Sequence, residues 1–446
     1  MNFFANNMKR LAAGTNREIL RLALPSIVSN ITVPLLGLVD VAIVGHMGAA
    51  SCIGAIAVGG VLFNLVYWNF GFLRMGTSGL TAQARGRGDG EETARVLARA
   101  LGVAAISSVI ILLLQYPVER LALPLLEATG EVGEQAAIYF RVCVWGAPAV
   151  LGLYCFKGWF IGMQNSRYPM FIAIAVNVLN IACSLCLVYL FGMKVEGVAL
   201  GTVIAQYAGL AMATWLWRRE YPLPRGVFAP RECFRRREMR LFLVMNRDIF
   251  LRTTCLIVVT LFFTAAGTRQ GEVVLAVNTL LMQLFTLFSY IMDGFAHAAE
   301  ALVGRRVGEG NRAGTRRVIR HLFGWGAGLS ALFTLLYAVG GSAFLSLLTS
   351  SREVTRVAGE YFYWVLAIPF AGFAAFLWDG ILIGATATRQ MLLAMLIAVG
   401  GFFLVYHGIP AGGNHVLWLA FIVYLALRGG MQTLFFGRVE RSLFDR

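Results

Sequence analysis

The sequence predicts an all-α polytopic membrane protein, with twelve transmembrane helices in two six-helix bundles that repeat in parallel. Three observations carry this. Of the 446 residues, 58% are hydrophobic and only 14% are charged, whereas soluble chains carry about 25% charge. Twelve apolar runs reach roughly the 20 residues that a bilayer-spanning helix needs. The cations collect on alternate connections between those runs. Of 38 Lys and Arg, 28 lie on the side of the amino terminus, six on the opposite side and four inside the runs. By the positive-inside rule the first side is cytoplasmic, and an even number of spans puts both termini there. The net charge of +15 could signal nucleic acid in a soluble chain. Here it records topology, and no nucleic-acid partner is expected.

The elements follow in order. Residues 1–16 are polar and lack the apolar core and cleavage site of a signal peptide, so the first run, 18–44, reads as a retained membrane helix. It carries Pro34, which removes one helix hydrogen bond and can act as a hinge, and then Asp40. The second run, 52–80, is followed by R-G-R-G-D, a glycine turn at the inner face. No strand precedes that turn, so it is not a phosphate loop. The third to sixth runs are 96–116, 136–162, 168–191 and 195–217. The fifth holds Asn177, Asn180 and Ser184, and Thr202 lies at similar depth on the sixth. Cys183-x-x-Cys186 sits in NIACSLCLVYLF, where thiols read as small packing residues rather than a redox or metal pair. The segment 218–246 is strongly basic. It reads as an ordinary linker obeying the charge rule, or as an inner-surface segment touching anionic membrane lipid. The remaining runs are 247–267, 273–303, 320–348, 356–385, 390–408 and 415–436. The expected organisation is a first lobe over 1–217, a linker over 218–246 and a second lobe over 247–446.

The halves resemble each other. GLTAQARGRGDGEETARV (79–96) lies over ALVGRRVGEGNRAGTRRV (301–318), and GWFIGMQNSR (158–167) over GILIGATATR (380–389), both at an offset of 222. Asn16-Arg17-Glu18-Ile19 echoes Asn246-Arg247-Asp248-Ile249. Six spans per half make the repeats parallel, an architecture of transporters with cargo bound between lobes.

Charges buried in lipid cost a few kcal/mol each on insertion scales. The direction of each span places Arg74, Lys157, Arg252, Asp293, His297, Glu300, Asp379 and Arg428 at mid-depth or in the inner half. They read as a structural ion-pair set closing the inner side, with Arg252–Asp293 and Arg74–Asp293 as pairs. Asp40 stands apart in the outer half, with no in-span cation at its level. A carboxyl so isolated holds a proton more readily, as proton coupling requires. The alternative is a helix-end Asp wetted by the outer solvent, since Gly45-His46 follows closely. His297-x-x-Glu300 lacks a third ligand, so no metal is expected. No Gly-x-Ser-x-Gly elbow, Walker loop or His-Glu-x-x-His occurs. An enzyme is not expected, nor a cofactor, and an ion gradient must supply the energy.

Taken together, LALPSIVSNITVPLLGLVDVAIVGHMG (22–48), FLRMGTSGLTAQARG (72–86), NRDIFLRT (246–253), MDGFAHAAEALVG (292–304), LWDGILIGATATR (377–389) and NHVLWLAFIVYLALRG (414–429) resemble the MATE family of multidrug and toxic-compound exporters, DinF-like branch. The resemblance covers essentially the whole chain. It implies two six-helix lobes around a cleft, alternating access, and exchange of H⁺ or Na⁺ for small organic cations or amphipathic drugs. It also implies a monomer in the bacterial plasma (inner) membrane. The family's first-lobe acid falls on Asp40, and its polar pocket uses positions resembling Tyr139, Asn180 and Thr202. Two departures matter. Relatives often carry a second acid in the fifth span, where this chain has Ser184. The Na⁺-type members pair a Glu in span seven with an Asp in span ten; Asp379 resembles the latter, but span seven offers Arg252. The expected coupling ion is therefore H⁺, with Na⁺ as the alternative. A lipid-linked glycan flippase of the same superfamily, a membrane-embedded enzyme and a channel are the other readings.

Overall fold

In hydrocarbon every backbone N–H and C=O must find a partner within the protein, so spans form as continuous helices. A computed structural model of the chain describes residues 2–45, 50–125, 130–221, 230–349, 351–409 and 412–445. The side chains of residues 2–13, of Asp40 and of several of its neighbours lie outside the described ones. The helices are α1 (Asn2–Gly45), α2 (Ala50–Asn69), α3 (Phe72–Gly86), α4 (Gly90–Leu125), α5 (Gly130–Cys143), α6 (Ala147–Gly162), α7 (Arg167–Leu185) and α8 (Val195–Glu220). They continue with a short α9 (Pro230–Cys233), then α10 (Arg236–Thr268), α11 (Glu272–Gly308), α12 (Arg312–Leu348), α13 (Arg352–Gly384), α14 (Thr388–Gly408) and α15 (Gly413–Phe444). Among the described residues, eleven helical segments are long and apolar enough to cross a membrane. They match eleven of the twelve expected runs; the remaining run, 18–44, lies within α1. Two spans are broken helices: α2 and α3 meet at a turn around Gly71, and α5 and α6 are joined by a 3-10 turn, Val144–Gly146.

The chain divides into two compact units. Residues 28–246 form the first; residues 1–27 with 247–446 form the second. Both division points fall inside helices, α1 and α10. The reading from sequence placed 1–27 with the first lobe and 218–246 in a linker, so the boundaries differ. Local packing explains this. Asn16 accepts hydrogen bonds at Oδ1 from Trp325 Nε1 (3.2 Å) and His321 Nδ1 (3.0 Å) on α12. Gly294 of α11 leaves room for Ala23 and Ile27. Conversely, Phe242 of α10 is buried in the first unit's core with Leu73, Phe156, Trp159 and Phe160. The carbonyl of Cys233 accepts from Arg99 Nε at 2.6 Å, and Arg99 also grips Glu92.

The repeat appears in atomic detail. A side chain at Gly158 on α6 would collide with the backbone carbonyl of Arg74 on α3, and one at Gly162 would lie 2.7 Å from that of Ser78. At the same offset of 222, Gly380 on α13 meets the carbonyl of Ala296 on α11, and a Cβ at Gly384 would lie 2.7 Å from that of Glu300. These Gly-x-x-x-Gly stripes let backbones touch, which is how membrane helices associate without a hydrophobic gradient between them. The connections match too. Gly88 and Gly310 take left-handed backbone (φ 73° and 66°), and so do Gln164 and Thr386 (φ 55° and 56°). Asp89 and Asn311 then accept from the backbone N–H three residues on, at 2.9 and 2.7 Å, capping the next helix.

Because carbonyls cannot move aside as side chains can, Gly158→Leu and Gly380→Leu should each cost at least about 2 kcal/mol. Gly324→Ala, with nothing within 4 Å, should be neutral or slightly stabilising. Thermal unfolding in detergent by intrinsic fluorescence checks both; equal midpoints for all three variants would refute the close-approach account.

Candidate functional site

The first unit contains a neutral polar network. Asn180 is buried on α7 at 1% exposure. Its Nδ2 donates to Thr202 Oγ1 on α8 at 2.9 Å, and Thr202 in turn donates to the carbonyl of Val198 at 3.0 Å. Ser184, one turn along α7, donates to Asn180 Oδ1 at 3.4 Å and packs on Gly201. The chain of donors thus runs Ser184 to Asn180 to Thr202 to Val198, with no charged member. Tyr139 is buried beside this network. Its ring lies over Gly59, edge-on to Phe63 at 6.0 Å, in an apolar cluster with Ile43, Val198 and Ala199. Val39 packs against that same cluster. Val39 and Ile43 flank Asp40 on α1, whose side chain lies outside the described residues. Asn177 is separate from the network. Its Nδ2 donates to the carbonyl of Thr32 at 3.0 Å, tying α7 to α1 two residues before Pro34. That proline is exposed and lies within helix α1.

The second unit carries a buried charged cluster. Asp379 on α13 receives three donors. Arg252 Nη2 of α10 and Arg428 Nη2 of α15 both bind its Oδ2. Gln432 Nε2 of α15 binds its Oδ1 at 2.7 Å. All four side chains are buried, and Arg428 also lies over the ring of Phe376, 5.7 Å from its centroid. The depth reading paired Arg252 with Asp293; the structure sets Arg252 on Asp379, while Asp293 stands half-buried near Tyr290. Gln432 was missed by sequence reading. The signal was available, since Arg428 and Gln432 are four residues apart and share a helix face. A second buried polar group was missed as well. Asn278 and Asn414 exchange amide hydrogen bonds at 2.8 and 2.9 Å, and Trp418 Nε1 donates to Asn278 Oδ1 at 2.9 Å. Among the described residues, no group of three His, Cys, Asp or Glu side chains is placed to hold a metal.

Comparison with known proteins places this geometry. The pattern that defines the MatE family matches residues 25–186 and 249–407, one stretch in each half. The chain belongs to the MatE family. It is 38% identical over 416 residues to DNA damage-inducible protein F of Escherichia coli (strain K12), covering 93% of this chain and 90% of that protein. It is 26% identical over 436 residues to Protein DETOXIFICATION 44, chloroplastic, of Arabidopsis thaliana, covering 92% and 80%. Its fold is similar to that of the Vibrio cholerae MATE transporter VcmN in the bent form, with a TM-score of 0.88 at 17% identity over 97% of this chain and 98% of that one. The MatE chain is therefore a multi-pass membrane transporter of the DinF-like branch, not an enzyme.

Removing one partner of a buried ion pair strands the other charge at a cost of about 3–5 kcal/mol. Asp379→Asn, which leaves two guanidiniums on a neutral amide, should lose that much stability. Ser184→Ala gives up only the long end of a neutral network and should cost about 1 kcal/mol or less. Melting midpoints of the purified variants test the contrast, and a fully stable Asp379→Asn would show that the cluster is not held together by charge.

Proposed function

We propose that this MatE protein exports small organic cations and amphipathic drugs in exchange for H⁺, with Asp40 as the protonated group. One observation carries the choice of ion. Asp379, the second-lobe carboxylate that resembles a Na⁺ ligand, already accepts from Arg252, Arg428 and Gln432. A sodium ion there would have to displace two guanidiniums that cannot lose their charge. The stretch of α1 around Asp40 supports the complementary half of the reading, since Val39 and Ile43 pack among apolar groups and Tyr139. A carboxyl within a span can serve as a coupling group because its neutral and ionised forms differ strongly in solvation.

In this reading cargo enters from the cytoplasm and rests on aromatic and Met surfaces, which suit varied ligands. Protonation of Asp40 from outside repacks α1 about Pro34 and releases cargo outward. Ser184, where relatives often have an acid, leaves Asp40 to act alone, and Asn180, Thr202 and Tyr139 are the candidate polar-pocket residues of the first unit. The protein works as a monomer in the bacterial plasma membrane with both termini in the cytoplasm, and needs no cofactor beyond the ion gradient.

Proteoliposomes with ΔpH and ΔNa⁺ imposed separately test this. ΔpH alone should drive efflux of a cationic dye, ΔNa⁺ alone should not, and Asp40→Asn should abolish ΔpH-driven efflux at equal protein content. Efflux driven only by Na⁺, or full activity in Asp40→Asn, would overturn the mechanism.

A further inference from the structure

The duplicated halves differ in what covers one helix face. Near its start, α4 is held by the segment that precedes α10. Arg95 pairs with Glu91 on its own helix at 2.8 Å and with Glu232 of α9 at 3.6 Å. Two turns further along, a Cβ at Gly102 would lie 3.0 Å from the ring of Phe234. One short segment thus lays an acid on Arg95 and an apolar ring on Gly102. The offset of 222 sets Arg317 and Gly324 of α12 on these two positions. Hydrogen bonding supports that register: Ser108 donates to the carbonyl of Ala104 at 2.7 Å, and its twin Ser330 donates to that of Gly326 at 2.8 Å.

Both acids are missing from the second unit. The twin of Glu91 is Ala313. The echo of Asn16-Arg17-Glu18-Ile19 in Asn246-Arg247-Asp248-Ile249 makes residues 1–15 the counterpart of the segment before α10, and they hold Lys9 and Arg10 but no acid. Acids at this end of the unit are engaged elsewhere: Glu440 binds Arg312 and Arg316, Asp445 binds Arg312, and Glu18 binds Arg306. Arg320 meanwhile stands where the first unit has Ala98. The second unit has therefore gained a cation where it lacks two anions. Arg317 and Arg320 are exposed, and among the described residues neither forms an ion pair. With Gly324 they share one helix face. Among the described residues, a Cβ at Gly324, or at Gly328 one turn beyond, would meet nothing within 4 Å. The positive-inside rule explains arginines at this end of the helix. It does not explain why two of them line up on one face without the acids that hold their twin.

We propose that Arg317, Arg320 and Gly324 form a binding site for an anionic phospholipid, which supplies to α12 what Glu232 and Phe234 supply to α4. The headgroup phosphate accepts from the two guanidiniums, whose planar forks suit it. An acyl chain runs on from there over Gly324 and Gly328, roughly 10 and 16 Å beyond Arg317 at 1.5 Å per residue, and lies directly against backbone. A free phosphate would satisfy the arginines and leave the glycines bare; a lipid covers both. With the proposed topology the arginines stand at the inner leaflet, where anionic headgroups attract exposed cations.

Native mass spectrometry of the full chain in detergent, titrated with phosphatidylglycerol or with phosphatidylcholine of the same acyl chains, tests the site. Wild type should bind phosphatidylglycerol more tightly, on the order of tenfold. Arg317→Gln combined with Arg320→Gln should erase that preference at unchanged melting midpoint. Arg218→Gln combined with Arg219→Gln, which removes two arginines exposed at the end of α8, should keep it. Gly324→Leu should weaken phosphatidylglycerol binding several-fold, and inorganic phosphate in large excess should not displace the lipid. An equal loss in both arginine pairs would reveal a diffuse positive surface and overturn the site. So would a preference that survives Arg317→Gln with Arg320→Gln, unaltered binding in Gly324→Leu, or displacement by phosphate alone. A dimer that Gly324→Leu disperses would show a second copy on this face and overturn it too. Dye efflux in proteoliposomes decides the transport reading separately.

Discussion

The fold depends on backbone meeting backbone. In each unit two glycines one helical turn apart bring a pair of helices so close that a carbonyl occupies the place of a side chain. In water such contact would be a minor gain beside apolar burial. Between membrane helices, where lipid solvates apolar side chains as well as a neighbouring helix does, close van der Waals approach is one of the few ways to fix two helices in register. The polar side chains then inherit their positions. Asp379 is the residue before Gly380, so the stripe that locks α13 onto α11 also fixes the carboxylate's depth and direction.

Much of this was legible in the sequence, for physical reasons. Spans follow from run length, and the repeat from residues whose backbone conformation tolerates few substitutes, such as Gly88 and Gly310. The partnership of Asn180, Thr202 and Ser184 was legible as shared depth on adjacent spans. Partners brought together by rotation of distant helices were not. Nothing along the chain tells Arg252 to choose an acid 127 residues away, since depth is read from span direction but azimuth is not. The grouping of 1–27 with the second half was hidden for a related reason. Sequence order suggests neighbours, whereas Asn16 finds its donors on α12, more than 300 residues later.

The two units also show how one scaffold hosts two chemistries. The first keeps a string of neutral donors and acceptors, whose hydrogen bonds are individually modest and easily rearranged. The second buries two guanidiniums on one carboxylate, an arrangement that is expensive to open. The proposed cycle uses both properties: a region that changes protonation and packing, and another that holds its shape while this happens. Assigning them to separate halves avoids asking one site to be both stiff and responsive.

The duplication has a practical corollary for genetics. Several positions in one half have a twin 222 residues away in a matching backbone setting, down to the left-handed residues Gln164 and Thr386. The same substitution made at both twins works as its own control. Where the phenotypes agree, the effect belongs to the shared architecture. Where they diverge, as they should around Asn180 and its aromatic twin Phe402, the difference isolates what each half has been specialised to do.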